Sequence, residues 1–163
     1  MNWLVRLLED SELAGEVLIR KSINELEGQS HVASGRGIRS LKTKVEGMGF
    51  SSITIDLIGE EYLVFIDRGA KKRFPPVVRI FEWLKDKGIG GDDEERNEIA
   101  WAVSVNMSKE GTPSSSSLQY SKNGRNLEWT KFAEMESRGE IREIFSGSKW
   151  LEFLYDEVFM ERT

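Results

Sequence analysis

At 163 residues, with 39% hydrophobic content, five Trp and eight Phe, the chain can bury a real core, which excludes an intrinsically disordered protein. The absence of cysteine removes disulfides, thiolate metal sites and a cysteine nucleophile, and fits a reducing compartment. The net charge of −5 argues against global attraction to nucleic acid: residues 1–75 balance at 11 basic and 11 acidic, and residues 76–163, at 12 and 17, hold the whole excess.

The N-terminal MNWLVRLLEDSEL carries acids inside its apolar run and no small-residue cleavage site, so it reads as a helix and not a signal peptide. No apolar run approaches the roughly 18 residues a membrane span needs. Residues 2–27 continue the helical pattern. Leu4, Leu7, Leu8, Ala14 and Leu18 share one stripe, and Ile19, Ile23 and Leu26 form a second, rotated one. Asp10 or Ser11 is placed to cap a new helix, which would divide the segment in two. Gln29–Gly37 reads as a loop, and its His31, the only histidine, as an incidental surface residue.

Strands are expected next. Leu41–Val45 alternates apolar residues and β-formers with lysines, Glu46–Gly49 is a turn, and Ile53, Ile55 and Leu57 alternate with Thr54 and Asp56. After a turn at Gly59–Glu61, the aromatic and β-branched run Tyr62–Ile66 reads as a third, buried strand ended by Asp67-Arg68-Gly69. Short links with no intervening helix predict an antiparallel meander.

Arg68, Lys71, Lys72 and Arg73 form a basic loop, and Pro75-Pro76 presets a helical turn. Val77, Ile80, Phe81 and Leu84 recur at helical spacing, and Gly88 closes the helix. Asp92 or Asp93 is expected to cap the next helix, with Glu94 and Glu95 at its positive end; the acids lack EF-hand spacing. That helix runs to about Glu110. Ile99, Trp101, Val103, Val105 and Met107 make it apolar around most of its girth, which suits a core helix or one at a subunit contact. Gly111 and Pro113 end it. Ser114, Ser115, Ser116 and Ser117 lead through Tyr120 to Gly124 as a flexible arm over about 112–125. A short helix capped by Asn126 and broken at Gly139 follows, then a final helix at about 148–161 with Trp150, Leu151, Leu154 and Val158 on one face.

No nucleophile elbow, phosphate loop or zinc-ligand spacing occurs. Glu60, Glu61 and Asp67 are carboxylates of the type acid–base catalysis uses, but neighbouring acids in turns are usually just solvated. No cofactor is expected. Arg36, Arg39, Lys42 and Lys44, together with Arg68–Arg73, would make a positive patch if the segments meet. Two readings stand: contact with a phosphate backbone or acidic partner, or a solvated sheet edge where lysines discourage aggregation.

The order of these segments resembles a known family. Ala33–Leu41 (ASGRGIRSL) resembles the lead-in to the first strand of phage neck proteins, and Tyr62–Gly69 (YLVFIDRG) their strand and turn. Phe74-Pro75-Pro76-Val77 through Trp83–Ile89 is similar to their Pro-Pro helix ending in Gly-Ile. Ala100–Val103 through Lys109-Glu110-Gly111-Thr112-Pro113 is similar to the helix after it. Across residues 33–113 the chain thus resembles the tail-completion, or head–tail joining, proteins of long-tailed bacteriophages. The resemblance implies a single α+β domain, with an antiparallel sheet of three to four strands packed by several helices. It also implies a non-enzymatic role in the virion neck, as a ring of its own copies such as a hexamer. The partners implied are the head connector or adaptor and the tail-tube or terminator proteins, near packaged DNA. Assembly would take place in the host cytoplasm with no membrane. After Pro113 the family passes quickly to a short apolar strand; here Ser117–Tyr120 is the candidate. The residues expected to make contacts are Arg68, Lys71, Lys72, Arg73, Trp101, Val105, Ser114, Ser115, Ser116, Ser117 and Tyr120. The alternative is a small nucleic-acid-binding protein using the basic loop.

Overall fold

A computed structural model describes residues 3–49, 52–113 and 117–146. Among them are six helices and one β-hairpin, in the order α1 (Trp3–Gly28), α2 (Arg36–Ser40), β1 (Lys42–Gly49), β2 (Ser52–Ile58), α3 (Tyr62–Arg68), α4 (Val77–Lys87), α5 (Asp93–Glu110) and α6 (Trp129–Ser146). The final helix expected at 148–161 lies outside the described residues.

The helix α1 is continuous, with no break at Asp10 or Ser11. Ser11 is fully buried, and its hydroxyl donates to the Leu7 carbonyl at 2.7 Å, which satisfies it inside the helix instead of starting a new one. Both apolar stripes are used. Ala14 and Leu18 face Ile55 of β2 and Phe145 of α6. Ile19, Ile23 and Leu26 join a core with Leu41, Leu63 and Trp129. The α1–α6 seam is made of small groups, Ala14, Ala133 and Ser137, all essentially inaccessible to water.

The expected meander of three to four strands is not what forms: the only sheet among the described residues has two strands. β1 and β2 pair antiparallel, with Lys42 opposite Ile58 and Val45 opposite Ile55. The predicted turn at Glu46–Gly49 is still strand, with a register irregularity between Glu46 and Gly49. Along the hairpin the expected alternation holds, with Thr43, Val45, Ile53, Ile55 and Leu57 half-buried and Lys42, Lys44, Thr54 and Asp56 exposed.

The predicted third strand, Tyr62–Ile66, is the helix α3. Its burial shows why. Leu63 is 5% exposed and Ile66 half-buried, while Val64 and Phe65 are 51% and 62% exposed. Apolar contact at a spacing of three is the pattern of a helix face, not of a strand. A single well-placed leucine in the Leu26–Leu41–Trp129 cluster outweighs the β-preference of the run. The candidate fourth strand, Ser117–Tyr120, is a 3-10 helical turn. The described residues are therefore mostly helical, with one β-hairpin among them.

The helix α6 runs through Gly139 without the expected break, and it begins at Trp129, beyond the position that Asn126 was expected to cap. Its first turn is capped from a distance: the Asp67 carboxylate accepts from the Thr130 N–H at 2.9 Å and the Thr130 hydroxyl at 2.8 Å. Trp129, 3% exposed, donates its indole N–H to the Leu63 carbonyl at 3.3 Å. α3 and α6 are thus joined by one buried and one exposed set of hydrogen bonds.

α4 and α5 pack on each other as a helical hairpin. Val77, Ile80, Phe81 and Leu84 form the inner face of α4, with Leu84 1% exposed, as the sequence predicted. Gly88 closes α4 in the left-handed conformation. Asp92 caps α5, accepting from the Glu95 N–H at 2.8 Å, and the Glu95 carboxylate answers by accepting from the Gly91 N–H at 2.6 Å. Arg96 ties the turn together through Asp93 and the carbonyls of Ile89 and Gly90.

Candidate interaction surface

The chain enters and leaves the helical hairpin through one crossing. Ala70 and Thr112 exchange both backbone hydrogen bonds at 2.9 Å. Gly69 and Gly111 flank this bridge at φ +76° and +89°, with extended ψ, a conformation available essentially to glycine alone. A Cβ on Gly111 would lie 2.7 Å from the Ala70 carbonyl oxygen, and one on Gly69 would meet the Thr112 carbonyl. From the bridge the basic loop runs back beside α5. Its Lys71–Lys72 backbone adjoins Gly111, and just beyond it the Phe74 ring packs on Trp101, with centroids 5.6 Å apart and planes tilted by 54°.

This crossing brings several predicted contact residues onto one flank. Lys71, Lys72, Arg73, Trp101 and Val105 all lie along α5, and Arg68 sits just before the crossing. Trp101 and Val105 share a face at i, i+4; Trp101 is 52% exposed and Val105 half-buried. Of the two expectations for α5, a core helix or one at a subunit contact, the first fails, since only Ala100 and Ser104 are buried. Sequence reasoning missed Phe74, Val78 and Trp83, which are exposed apolar residues of the same unit. Val78 and Trp83 fall on either side of the Val77–Ile80–Phe81–Leu84 face, a legible sign that they are not needed inside the hairpin. Of the serine arm, Ser114, Ser115 and Ser116 lie outside the described residues, and Ser117 and Tyr120 bound the 3-10 turn.

The two basic groups of the sequence do not form one patch in the way proposed. Arg36 lies over the Tyr62 ring at 5.4 Å, at the start of α3, whereas Arg68–Arg73 follow its end. Arg39 donates to the Ser34 carbonyl at 3.0 Å. Lys44 is engaged by Glu46, whose hydrogen bond and charge hold the ammonium pKa above its ordinary range. Arg68, Lys71, Lys72 and Arg73 are exposed and form no ion pair among the described residues. They are cations available to a partner.

Behind the flank, the segment leading into α6 is fastened to the end of α1. Glu25, 3% exposed, is held by Arg125, by Asn123 at 3.0 Å and by Gln29 at 3.1 Å. The Gly28 carbonyl accepts from the N–H groups of Lys122 and Asn123. His31 is half-buried here, not on an open loop. Its Nε2 lies 3.1 Å from both the Gln29 side-chain oxygen and the Asn126 carbonyl, two acceptors that call for the Nε2–H tautomer. Burial pushes its pKa below the ordinary value, and Lys87 adds to the effect. Lys87 donates to the Ser30 carbonyl at 2.6 Å and so ties the end of α4 to this joint. Burial, and then Lys122, lower its own pKa. Nothing in the sequence around the lone histidine signals this role.

Of the acids considered for catalysis, Asp67 is committed to capping α6, while Glu60 and Glu61 are exposed. Among the described residues no cluster of His, Cys, Asp and Glu is arranged to hold a metal ion, and no helix is long and apolar enough to cross a membrane. The groove between α1, β2 and α6, about 320 Å³, is open; Ala14, Leu18, Ile55, Ile141 and Phe145 line it, with Arg138 and Glu134 paired at its rim. No family model, curated protein or solved structure matches the chain.

Proposed function

We propose that this chain is a non-enzymatic assembly protein that joins head connector to tail in a long-tailed phage, working as a ring of its own copies. The observation that carries the reading is the helical hairpin: it leaves Phe74, Val78, Trp83 and Trp101 exposed, and the loop that leads into it carries Lys71, Lys72 and Arg73, which form no ion pair among the described residues. Exposed aromatic and basic side chains on a rigid two-helix unit are the chemistry of a protein contact. The resemblance supports it at the joints of that unit. Phe74-Pro75-Pro76 leads into α4, Gly88-Ile89 ends it and Gly111-Thr112-Pro113 ends α5. The sheet that the resemblance implied is not part of the reading. Inactivating the protein in its phage should leave filled heads and separate tails by electron microscopy; intact tailed particles would refute the role.

A second reading, single-stranded nucleic-acid binding, is favoured by one observation: Lys71–Arg73 lie next to two exposed rings in tilted contact, and basic side chains can track a phosphate backbone while bases stack on exposed rings. The net charge weighs against it. Binding that weakens steeply as salt is raised would support this second reading.

A further inference from the structure

Granting the assembly role, we infer that the hairpin flank of one copy docks on the outer face of the N-terminal half of α1 in a second copy, head to tail. That face carries Glu9, Glu12 and Glu16 at i, i+3 and i+7. All three are exposed and form no ion pair among the described residues. Val5, Leu8 and Leu13, which are 47%, 36% and 47% exposed, border the same arc of the helix. An acidic row edged by aliphatic side chains is the complement of a basic row edged by aromatic ones. The lengths agree as well: Glu9 to Glu16 rises about 10 Å along a helix, and the four residues Lys71–Phe74 span at most about 13 Å when extended.

Geometry within one copy sends the contact to a neighbour. The flank belongs to the end of the body where Lys87 meets Ser30 and Asp67 caps α6. The acidic face lies at the other end of α1: Glu12 and Gly28 are about 24 Å apart along the helix. Two complementary surfaces at opposite ends cannot meet in one chain. Between copies they make a heterologous contact, which closes into a ring or continues as a filament. This pairing also accounts for both exposed patches at once, whereas a nucleic-acid partner leaves the acidic face of α1 unexplained.

A charge swap in the full chain tests it. One variant carries Lys71→Glu, Lys72→Glu and Arg73→Glu; the other carries Glu9→Lys, Glu12→Lys and Glu16→Lys. Sedimentation velocity should show wild type associating with concentration, less so in high salt. Each variant alone presents like charge on both surfaces and should associate at least about tenfold more weakly. Mixing the two should restore association. A monomeric wild type, a variant that associates like wild type, or a mixture that fails to recover overturns the contact. A second measurement is independent of the variants' folding: carbodiimide cross-linking of mixed heavy and light wild-type chains. Expected are inter-chain links from Lys71 or Lys72 to Glu9, Glu12 or Glu16. Links confined to one chain, or running instead to carboxylates in residues 147–163, overturn it. So does an oligothymidylate that takes the flank while the chain does not self-associate. A chain that passes the swap yet is absent from particles refutes the assembly role alone; one present at the neck that fails the swap refutes only this contact.

Discussion

The body of the molecule and its helical hairpin use the same kinds of side chain to opposite ends. In the body, Trp129 is 3% exposed, bonded through its indole to Leu63 and packed in a cluster drawn from α1, α3, α6 and the residue preceding β1. In the hairpin, Trp101 and Trp83 are 52% and 41% exposed, and the fully buried positions of α5 are an alanine and a serine. The body converts apolar surface into stability. The hairpin forms its inner seam from few residues and leaves the rest as surface. What separates the two is therefore not composition but how many layers cover each element, and that decides which mutations unfold the protein and which disable it.

The largest expected effect breaks the body. Trp129→Ala should lower unfolding free energy by about 3–5 kcal/mol, read from urea titration followed by circular dichroism, because it opens the centre of the core and removes the indole N–H bonded to the Leu63 carbonyl. Gly111→Ala comes next and acts on the junction of the two regions. The backbone conformation alone costs on the order of 1–3 kcal/mol, and the added methyl meets the Ala70 carbonyl. Gly69→Ala should behave alike, and either should loosen the hairpin before the body, seen as faster amide exchange at Ala70 and Thr112.

Acid should weaken the joint between the regions more gently. His31 is held below its ordinary value of 6.5 in the folded protein. The unfolded chain therefore binds the proton first, so stability is full above about pH 6.5 and declines as pH falls from there to the folded-state pKa. His31→Gln should flatten that part of the stability profile. Glu140, whose carboxyl is held below its usual range by Lys21 and then Arg20, contributes only in a separate, more acidic window, where stability present above the ordinary carboxylate pKa is lost as pH falls. The smallest effect sharpens the comparison most: Trp101→Ala should change stability by no more than about 0.5 kcal/mol while reducing assembly into particles. A loss near that of Trp129→Ala would mean the hairpin depends on its outer aromatics for folding.

The sequence made the hairpin legible and the body only partly so. Val77, Ile80, Phe81 and Leu84, with Pro76 before them and Gly88 after, fix α4 through local signals alone, and Asp92 marks the start of α5 in the same way. The paired strands were legible because one face alternates with the other. Tyr62–Ile66 was not, because its aromatic and β-branched residues favour a strand locally, and only the pocket offered by Leu26, Leu41 and Trp129 selects Leu63 and Ile66 at helical spacing. Asn126 and Gly139 misled in a related way. The cap of α6 comes from Asp67, 63 residues away from Thr130, and Gly139 carries no contact that would break the helix. Of the contact surface, Trp101 and the Arg68–Arg73 cations were visible as residue types. Their meeting was not, since it depends on the Gly69–Gly111 crossing that lays Phe74 against Trp101.

Hydroxyl-radical footprinting of the free chain and of the chain inside purified particles tests most directly whether the hairpin serves partners and the body serves itself. Phe74 and Trp101 should be reactive in the free chain and protected by assembly, while Trp129 stays unreactive in both. Equal reactivity of Trp101 in the two states, or a Trp129 that becomes protected only on assembly, would contradict the division.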